Sequence, residues 1–254
     1  MDLYYIITFF ILGTVLGSFY NVVGYRIPKG ESIVSPPSHC PKCNHRLTAA
    51  ELIPILSYML LGGKCKNCRT KISFFYPFFE LFTGVCFALS YLVFGINSIE
   101  LWIALVFLST LIIVIISDYQ TMIIADEVLL FALFIISLLL IFQGGFGLLL
   151  TSLVNGIIAF LFMWLIKVFG DFIFKKESMG GGDVKLMFLF GLYFGWEMAV
   201  ISIFLSAFIG LPISLVILFL KKNNVIPYGP FLSLAGIIIT LLQIDINTVI
   251  KLII

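Results

Sequence analysis

Long apolar stretches, almost free of charge, recur along the chain between short breaks of turn-forming residues. A helix that crosses a bilayer takes about 20 such residues (range ~17–25). The pattern predicts spanning helices over Leu3–Val23, Tyr76–Phe94, Leu101–Ser117, Ile124–Phe142, Leu148–Phe169, Ala199–Leu220 and Ile226–Ile244. A shorter run, Val184–Trp196, predicts a helix too short to cross unaided. The expected fold is an all-α polytopic membrane protein of about eight transmembrane helices, counting the short one. Breaks at Phe94-Gly95-Ile96-Asn97, Gln143-Gly144-Gly145 and Gly195-Trp196-Glu197 carry the turn chemistry. Residues 25–75 alone are polar enough for a small extramembrane domain.

Composition sharpens this reading. Hydrophobic residues make up 61% of the chain and charged residues 11%, against roughly 45–50% and about 25% in a soluble domain. An ordinary soluble protein is excluded, and so is a disordered chain, which needs low hydrophobicity and high charge. Mean hydropathy is +1.18. The chain starts Met1-Asp2, without the basic region or small-residue cleavage site of a secretory signal, so the first segment reads as a retained helix. Placement of the basic residues sets the expected topology. With eight spans, 14 of the 15 Lys and Arg fall on one side: Arg26 to Lys71 after the first helix, Lys167 to Lys185 after the fifth, and Lys221 and Lys222 after the seventh. By the positive-inside rule that side is the cytoplasm. Lys251 stands opposite, with both termini.

The polar stretch holds Cys40-Pro41-Lys42-Cys43 and Cys65-Lys66-Asn67-Cys68. Two C-x-x-C pairs suggest a structural zinc ion held by Cys40, Cys43, Cys65 and Cys68. So few residues bury little core, and a metal replaces it. The plainer alternative is four free thiols or an oxidised pair, the latter disfavoured in a reducing cytoplasm. His39 and His45 flank the first pair and read as surface residues, and Cys86 as a small apolar filler.

Carboxylates at membrane depth are costly and are functional candidates. Five acids qualify: Glu80, Asp118, Asp126, Glu127 and Asp183. Asp118 ends the third expected span, and Asp183 follows Met179-Gly180-Gly181-Gly182 to open the short helix. Taken singly, Asp118 reads as a solvated helix end and Asp183 as a helix N-cap. On one membrane face they suggest more. Two carboxylates close together in low dielectric share one proton, which provides a general base and a general acid at once.

In order along the chain, several motifs resemble the bifunctional type IV prepilin leader peptidase/N-methyltransferases. Gly17-Ser18-Phe19-Tyr20-Asn21-Val22-Val23 with Tyr25-Arg26-Ile27-Pro28 resembles the family's first-helix signature. Ser38-His39-Cys40-Pro41 and Ile53-Pro54-Ile55-Leu56-Ser57-Tyr58 resemble its cytoplasmic domain, and Ile72-Ser73, Tyr76-Pro77 and Glu80-Leu81-Phe82-Thr83-Gly84 the start of its second helix. Met179 to Leu186 carries the G-x-G-D peptidase motif, and Pro227-Tyr228-Gly229-Pro230 resembles the turn before the last helix.

The resemblance implies that Asp118 and Asp183 are the catalytic aspartates of a membrane peptidase, supported by Gly180, Gly181, Gly182, Lys185 and Asp126. Asp118 lies in the pattern D-x-x-x-x-x-I-P-D, with Ala125 where proline is usual. Asp126 is its rival and ranks second, as a cap or support for the following helix. The implied substrate is a prepilin or pseudopilin, cut after a leader glycine and then methylated at the new amine with S-adenosylmethionine. Glu80 and Gly84 are the candidates for the methyltransferase part. Glu80 would otherwise pair with a nearby cation, and Gly84 pack helices. The implied domains are a first helix over 1–24, a zinc-binding domain over 25–75 and a peptidase region over 76–254. The implied location is the bacterial cytoplasmic membrane, with the zinc domain and active site facing the cytoplasm and no nucleic-acid partner. The alternative is an ion- or proton-coupled transporter that uses the same acids. Against it, the sequence carries no inverted repeat.

Overall fold

A computed structural model describes residues 2–220 and 226–253; Lys221 and Lys222 lie outside the described residues. Regular structure is helical throughout: α1 (Asp2–Arg26), α2 (Leu56–Leu60), α3 (Phe75–Phe94), α4 (Ile99–Thr121), α5 (Asp126–Phe174), α6 (Gly181–Phe194), α7 (Trp196–Leu220), α8 (Gly229–Leu242) and α9 (Ile246–Ile253). Two 3₁₀ turns, Ile27–Lys29 and Ala49–Leu52, complete it. Among the described residues no strand forms, and the bridges His39–Arg46 and Lys64–Lys71 are isolated.

By its internal packing the chain divides into two units, Met1–Asn97 and Ser98–Ile254. In the first, α1 packs along α3. Small residues permit it: a Cβ on Gly13 would lie 2.7 Å from the Thr83 carbonyl oxygen and 2.8 Å from Gly84 Cα. Gly17, one turn on, crosses Glu80 and Thr83 in the same way. Close backbone approach between small residues is how helices associate where lipid removes the hydrophobic drive.

Between α1 and α3 one turn is built twice. The Cys40 N–H donates to the His45 carbonyl and the Asn44 N–H to the Cys40 carbonyl; Cys65, Thr70 and Arg69 repeat the pattern. Asn44 and Arg69 take matching positive φ values, 55° and 57°. Beside the first turn, the Thr48 backbone N–H and hydroxyl donate to Glu51, and His45 Nε2 stands 3.2 Å from the same carboxylate. These bonds, those from Thr48 first, pull Glu51 from 4.5 to about 2.

The second unit is built around α4. Leu101, Phe107, Leu108, Leu111, Ile112 and Ile116 are fully buried there, and α5 and α8 pack on it. Among the described residues five helices are long and apolar enough to cross a membrane: α1, α3, α4, α5 and α7. Apart from Ile124 and Ala125, which precede it, the expected runs Ile124–Phe142 and Leu148–Phe169 lie in one element, α5, interrupted by non-helical backbone at Gly144 and Gly145. Both α6 and α8, at 14 residues, fall short of a full crossing. The short helix starts at Gly181 and stops at Phe194, not at Trp196, because Gly195 caps it with φ 87°. Beyond the expected last span the chain adds α9, which the apolar pattern did not predict.

Candidate active site

Asp118 lies in the last turn of α4, one turn before a left-handed Met122 whose N–H closes the helix on the Asp118 carbonyl. Asp183 lies in the first turn of α6. The N-cap there is Gly180, so Asp183 is the third helical residue and not the cap expected for an isolated Asp. Its side chain reaches back to the Gly180 N–H, half of a capping box. The preceding loop is held by α5, where Lys167 Nζ donates to the Met179 carbonyl at 2.8 Å and Asp171 accepts from the Ser178 N–H at 2.6 Å.

The two helices bring these carboxylates to one level. Phe107 of α4 stacks on Tyr193 of α6, centroids 4.2 Å apart. From that stack Asp118 is eleven residues toward one end of α4, and Asp183 ten residues toward the start of α6. At 1.5 Å per residue both stand about 15–17 Å from the stack. They share an end, since the Asp118 charge acts on Asp183. Each side chain's residue is only 6% exposed, and Asp183 Oδ1 has no hydrogen-bond partner among the described residues. Two unpaired carboxylates at this burial are costly to keep unless the site uses them.

The start of α8 closes the site. The Gly229 N–H faces the Asp118 carboxylate. A Cβ on Gly229 would lie 2.6 Å from Asp118 Oδ2 and 3.2 Å from Ile124 Cδ1, so the carboxylate occupies the space a side chain would take. Ile124 also covers Gly182, where a Cβ would lie 2.8 Å from its Cβ. At Gly181 a Cβ would meet nothing within 4 Å, which accounts for the open position of a G-x-G-D pattern. Tyr228 feels the Asp183 charge, and its hydroxyl bonds the buried Ser206. Asp126 is not part of the pair. It is the first residue of α5, and Lys185 Nζ meets it at 2.6 Å in a half-exposed ion pair. Sequence reasoning named Tyr228 and Gly229 only within a motif and gave them no role; Ser206 carried no signal.

In the first unit, Glu80 is buried and bonds no cation among the described residues. Its Oε2 accepts the Ile55 N–H at 2.7 Å. Gly84 lies against Thr14 and Phe10 of α1. Asn21 donates to the carbonyls of Gly17 and Tyr76, leaving its buried Oδ1 without a partner among the described residues. Cys86 is buried in α3.

The four cysteines Cys40, Cys43, Cys65 and Cys68 converge, their sulfurs all within 4.8 Å of one another. Cys40 to Cys68 measures 3.8 Å and Cys43 to Cys65 3.9 Å. Four sulfurs at ~2.3 Å around a tetrahedral metal stand about 3.8 Å apart, whereas a disulfide needs ~2.05 Å. Backbone N–H groups of Lys42 and Cys43 pull the Cys40 thiol down, and Thr70 pulls Cys68 to about 6. Despite a bond from the His45 backbone, burial and the other sulfurs push Cys43 up to about 11. Deprotonated together, four sulfurs this close need a cation, so the donor set fits a metal ion.

Residues 11–94 match the Bacterial Peptidase A24 N-terminal domain, and residues 105–215 match the Type IV leader peptidase family. The Prepilin leader peptidase/N-methyltransferase of Bacillus subtilis (strain 168) is 39% identical over 233 residues, covering 90% of this chain and 91% of the relative. The chain belongs to the type IV leader peptidase family. Two further family members carry the same description. That of Neisseria gonorrhoeae is 32% identical, over 90% of this chain and 87% of its own, and that of Pectobacterium carotovorum subsp. carotovorum is 30% identical, over 89% of each. No solved structure matches the chain.

Proposed function

We propose that this chain is a prepilin leader peptidase and N-methyltransferase that cuts the leader from a type IV prepilin or pseudopilin and methylates the new N-terminal residue. The observation that carries the peptidase assignment is the level pair of buried carboxylates, Asp118 and Asp183, closed over by Gly229. One carboxylate takes a proton from water as its oxygen attacks the scissile carbonyl carbon. The other gives its proton to the carbonyl oxygen. The tetrahedral adduct then collapses, the C–N bond breaks, and the amine leaves with a proton. Lys185 and Asp126 tie α6 to α5 beside the pair.

Counting α5 as two spans on either side of Gly144 and Gly145, and α6 and α8 as short spans, gives the eight-span arrangement. It puts residues 25–75, Asp118 and Asp183 on the cytoplasmic side of the bacterial inner membrane, where the basic residues cluster. The transporter alternative calls for acids near the midplane, whereas both aspartates lie in terminal turns.

Residues 25–75 form the zinc-binding domain, with Cys40, Cys43, Cys65 and Cys68 as ligands, and residues 76–254 contain the peptidase region. Methylation belongs with α1, that domain and α3, including Glu80 and Gly84. S-adenosylmethionine supplies the methyl group when bound. The unpartnered Asn21 Oδ1 suits an N–H donor such as the amine to be methylated. Incubating the purified protein with a prepilin, with and without S-adenosylmethionine, and weighing the product's N-terminus by mass spectrometry tests both activities. Asp118→Asn and Asp183→Asn must each abolish cleavage in folded protein; cleavage by either variant refutes the peptidase assignment.

A further inference from the structure

Residues 52–61, Leu-Ile-Pro-Ile-Leu-Ser-Tyr-Met-Leu-Leu, carry no charge, although they lie between two cysteine turns rich in lysine and arginine. They do not form a core. Leu52, Ile53, Leu56, Met59 and Leu60 are all exposed, Leu60 to 87%. The segment is bent sharply at Ile55, at φ 61° and ψ −53°, with the Leu56 N–H donating to the Pro54 carbonyl. This is the strained form of the γ-turn, and a β-branched residue rarely occupies it. The Ile55 N–H is turned aside and donates to Glu80 Oε2 at 2.7 Å.

That bond fixes a depth. Glu80 is the sixth residue of α3, which begins at Phe75. Its Cα is therefore about 7.5 Å along the helix from its start, with the side chain leaning back toward that start. Ile55 thus stands beside the first turns of a helix long and apolar enough to span, and not above its end. Tyr76, exposed on the first turn, is a residue type found at a membrane–water boundary. Segments that lie in the interface bury their apolar faces by about 5–10 Å, which matches this depth. Lys64, Lys66, Arg69 and Lys71, exposed on the adjoining turn, complement anionic headgroups.

We infer that residues 52–60 form an interfacial membrane element, with Leu52, Ile53, Leu56, Met59 and Leu60 among lipid acyl chains and Glu80 as the positioning residue that holds Ile55 at that level. The inference rests on α3 crossing the bilayer. It gives Glu80 a role independent of proton transfer, and it ties the cysteine turns to the membrane at a second place besides their chain ends.

The test uses the full chain in vesicles of phosphatidylcholine and phosphatidylglycerol, with Trp102, Trp164 and Trp196 replaced by Phe and one reporter introduced as Leu60→Trp. A parallel protein carries Leu89→Trp, a lipid-exposed position farther along α3. Leader cleavage by each preparation shows that it is folded. The expected result for Leu60→Trp is strong loss of emission with lipids brominated near the headgroup and weaker loss with lipids brominated deeper in the chain. Leu89→Trp should show the reverse order. Emission from Leu60→Trp that is untouched by either lipid but quenched by aqueous acrylamide overturns the proposal while α3 remains a span. Emission shielded from both lipids and acrylamide means that a protein surface covers the segment, and also overturns it. If neither reporter is quenched by lipid, α3 does not span, and the proposal falls with that premise.

Discussion

Replacing Gly229 by alanine tests the geometry of the carboxylate pair without altering either acid. The new Cβ would lie 2.6 Å from Asp118 Oδ2, where ordinary van der Waals contact begins at 3.4 Å. Something must therefore yield by about 0.8 Å. The start of α8 is enclosed and Ile124 presses from 3.2 Å, so the carboxylate is the part most free to move. Displacing a reacting group by about 1 Å costs on the order of 10²-fold in rate, or about 2.7 kcal/mol of barrier. Leader cleavage of a prepilin by Gly229→Ala, followed by gel shift or mass spectrometry, should therefore be slowed by about two orders of magnitude, while the protein stays folded and Asp118→Asn sets the floor. Gly181→Ala is the internal control. Its Cβ meets nothing within 4 Å, and it should cleave at close to the unmodified rate. A Gly229→Ala protein as fast as Gly181→Ala would refute the placement of Gly229 against the reacting carboxylate.

Cys65→Ser should reduce bound zinc, measured by inductively coupled plasma mass spectrometry, and lower methylation more than leader cleavage, because the aspartates belong to the other unit. Lys185→Met removes an ion pair that is half exposed on both sides, so its effect on thermal stability should stay within about 1 kcal/mol. Gly13→Val forces a side chain into the α1–α3 crossing, where a Cβ already has only 2.7 Å; a loss of about 1–3 kcal/mol is expected in thermal unfolding. Glu51 has its carboxyl held at about 2, below the usual 4.5, so its stabilising contribution is complete above pH 4.5 and is lost as pH falls toward 2. The melting-temperature difference between the unmodified protein and Glu51→Gln should accordingly shrink as pH falls from 4.5 toward 2; a difference unchanged across that range would refute the depressed carboxyl.

The helices were legible because spanning segments need length and apolarity, and both are plain in residues such as Leu101–Ser117. The break in α5 was legible as Gly144-Gly145, although the helix resumes so directly that the two runs form one element. The four cysteines were legible because thiol ligands come in short, fixed spacings. Partnerships between distant backbone atoms were not. For Glu80, a candidate for the methyltransferase part, the plainer alternative was a partner cation; it instead meets an amide freed by a positive-φ isoleucine, and no composition or period announces such a turn. Gly229 looked like turn punctuation, and only the fold shows that its missing side chain makes room for Asp118. The apolar residues 52–61 passed as part of a polar domain because a window long enough to find spans averages them with their charged neighbours.

The shortness of α6 has a consequence for the barrier that the membrane must keep. Fourteen residues cover about 21 Å of a hydrocarbon layer ~30 Å thick. Lipid cannot sag to meet this helix, because α5, α7 and α8 pack against it. In the eight-span reading, water that reaches the acids stands partway through the insulating layer. Farther along the same two helices the rings of Phe107, Phe190, Tyr193 and Phe194 pack together. If that packing is what keeps water from going farther, thinning these rings to alanine makes cells leak protons, which a fluorescent pH indicator would read.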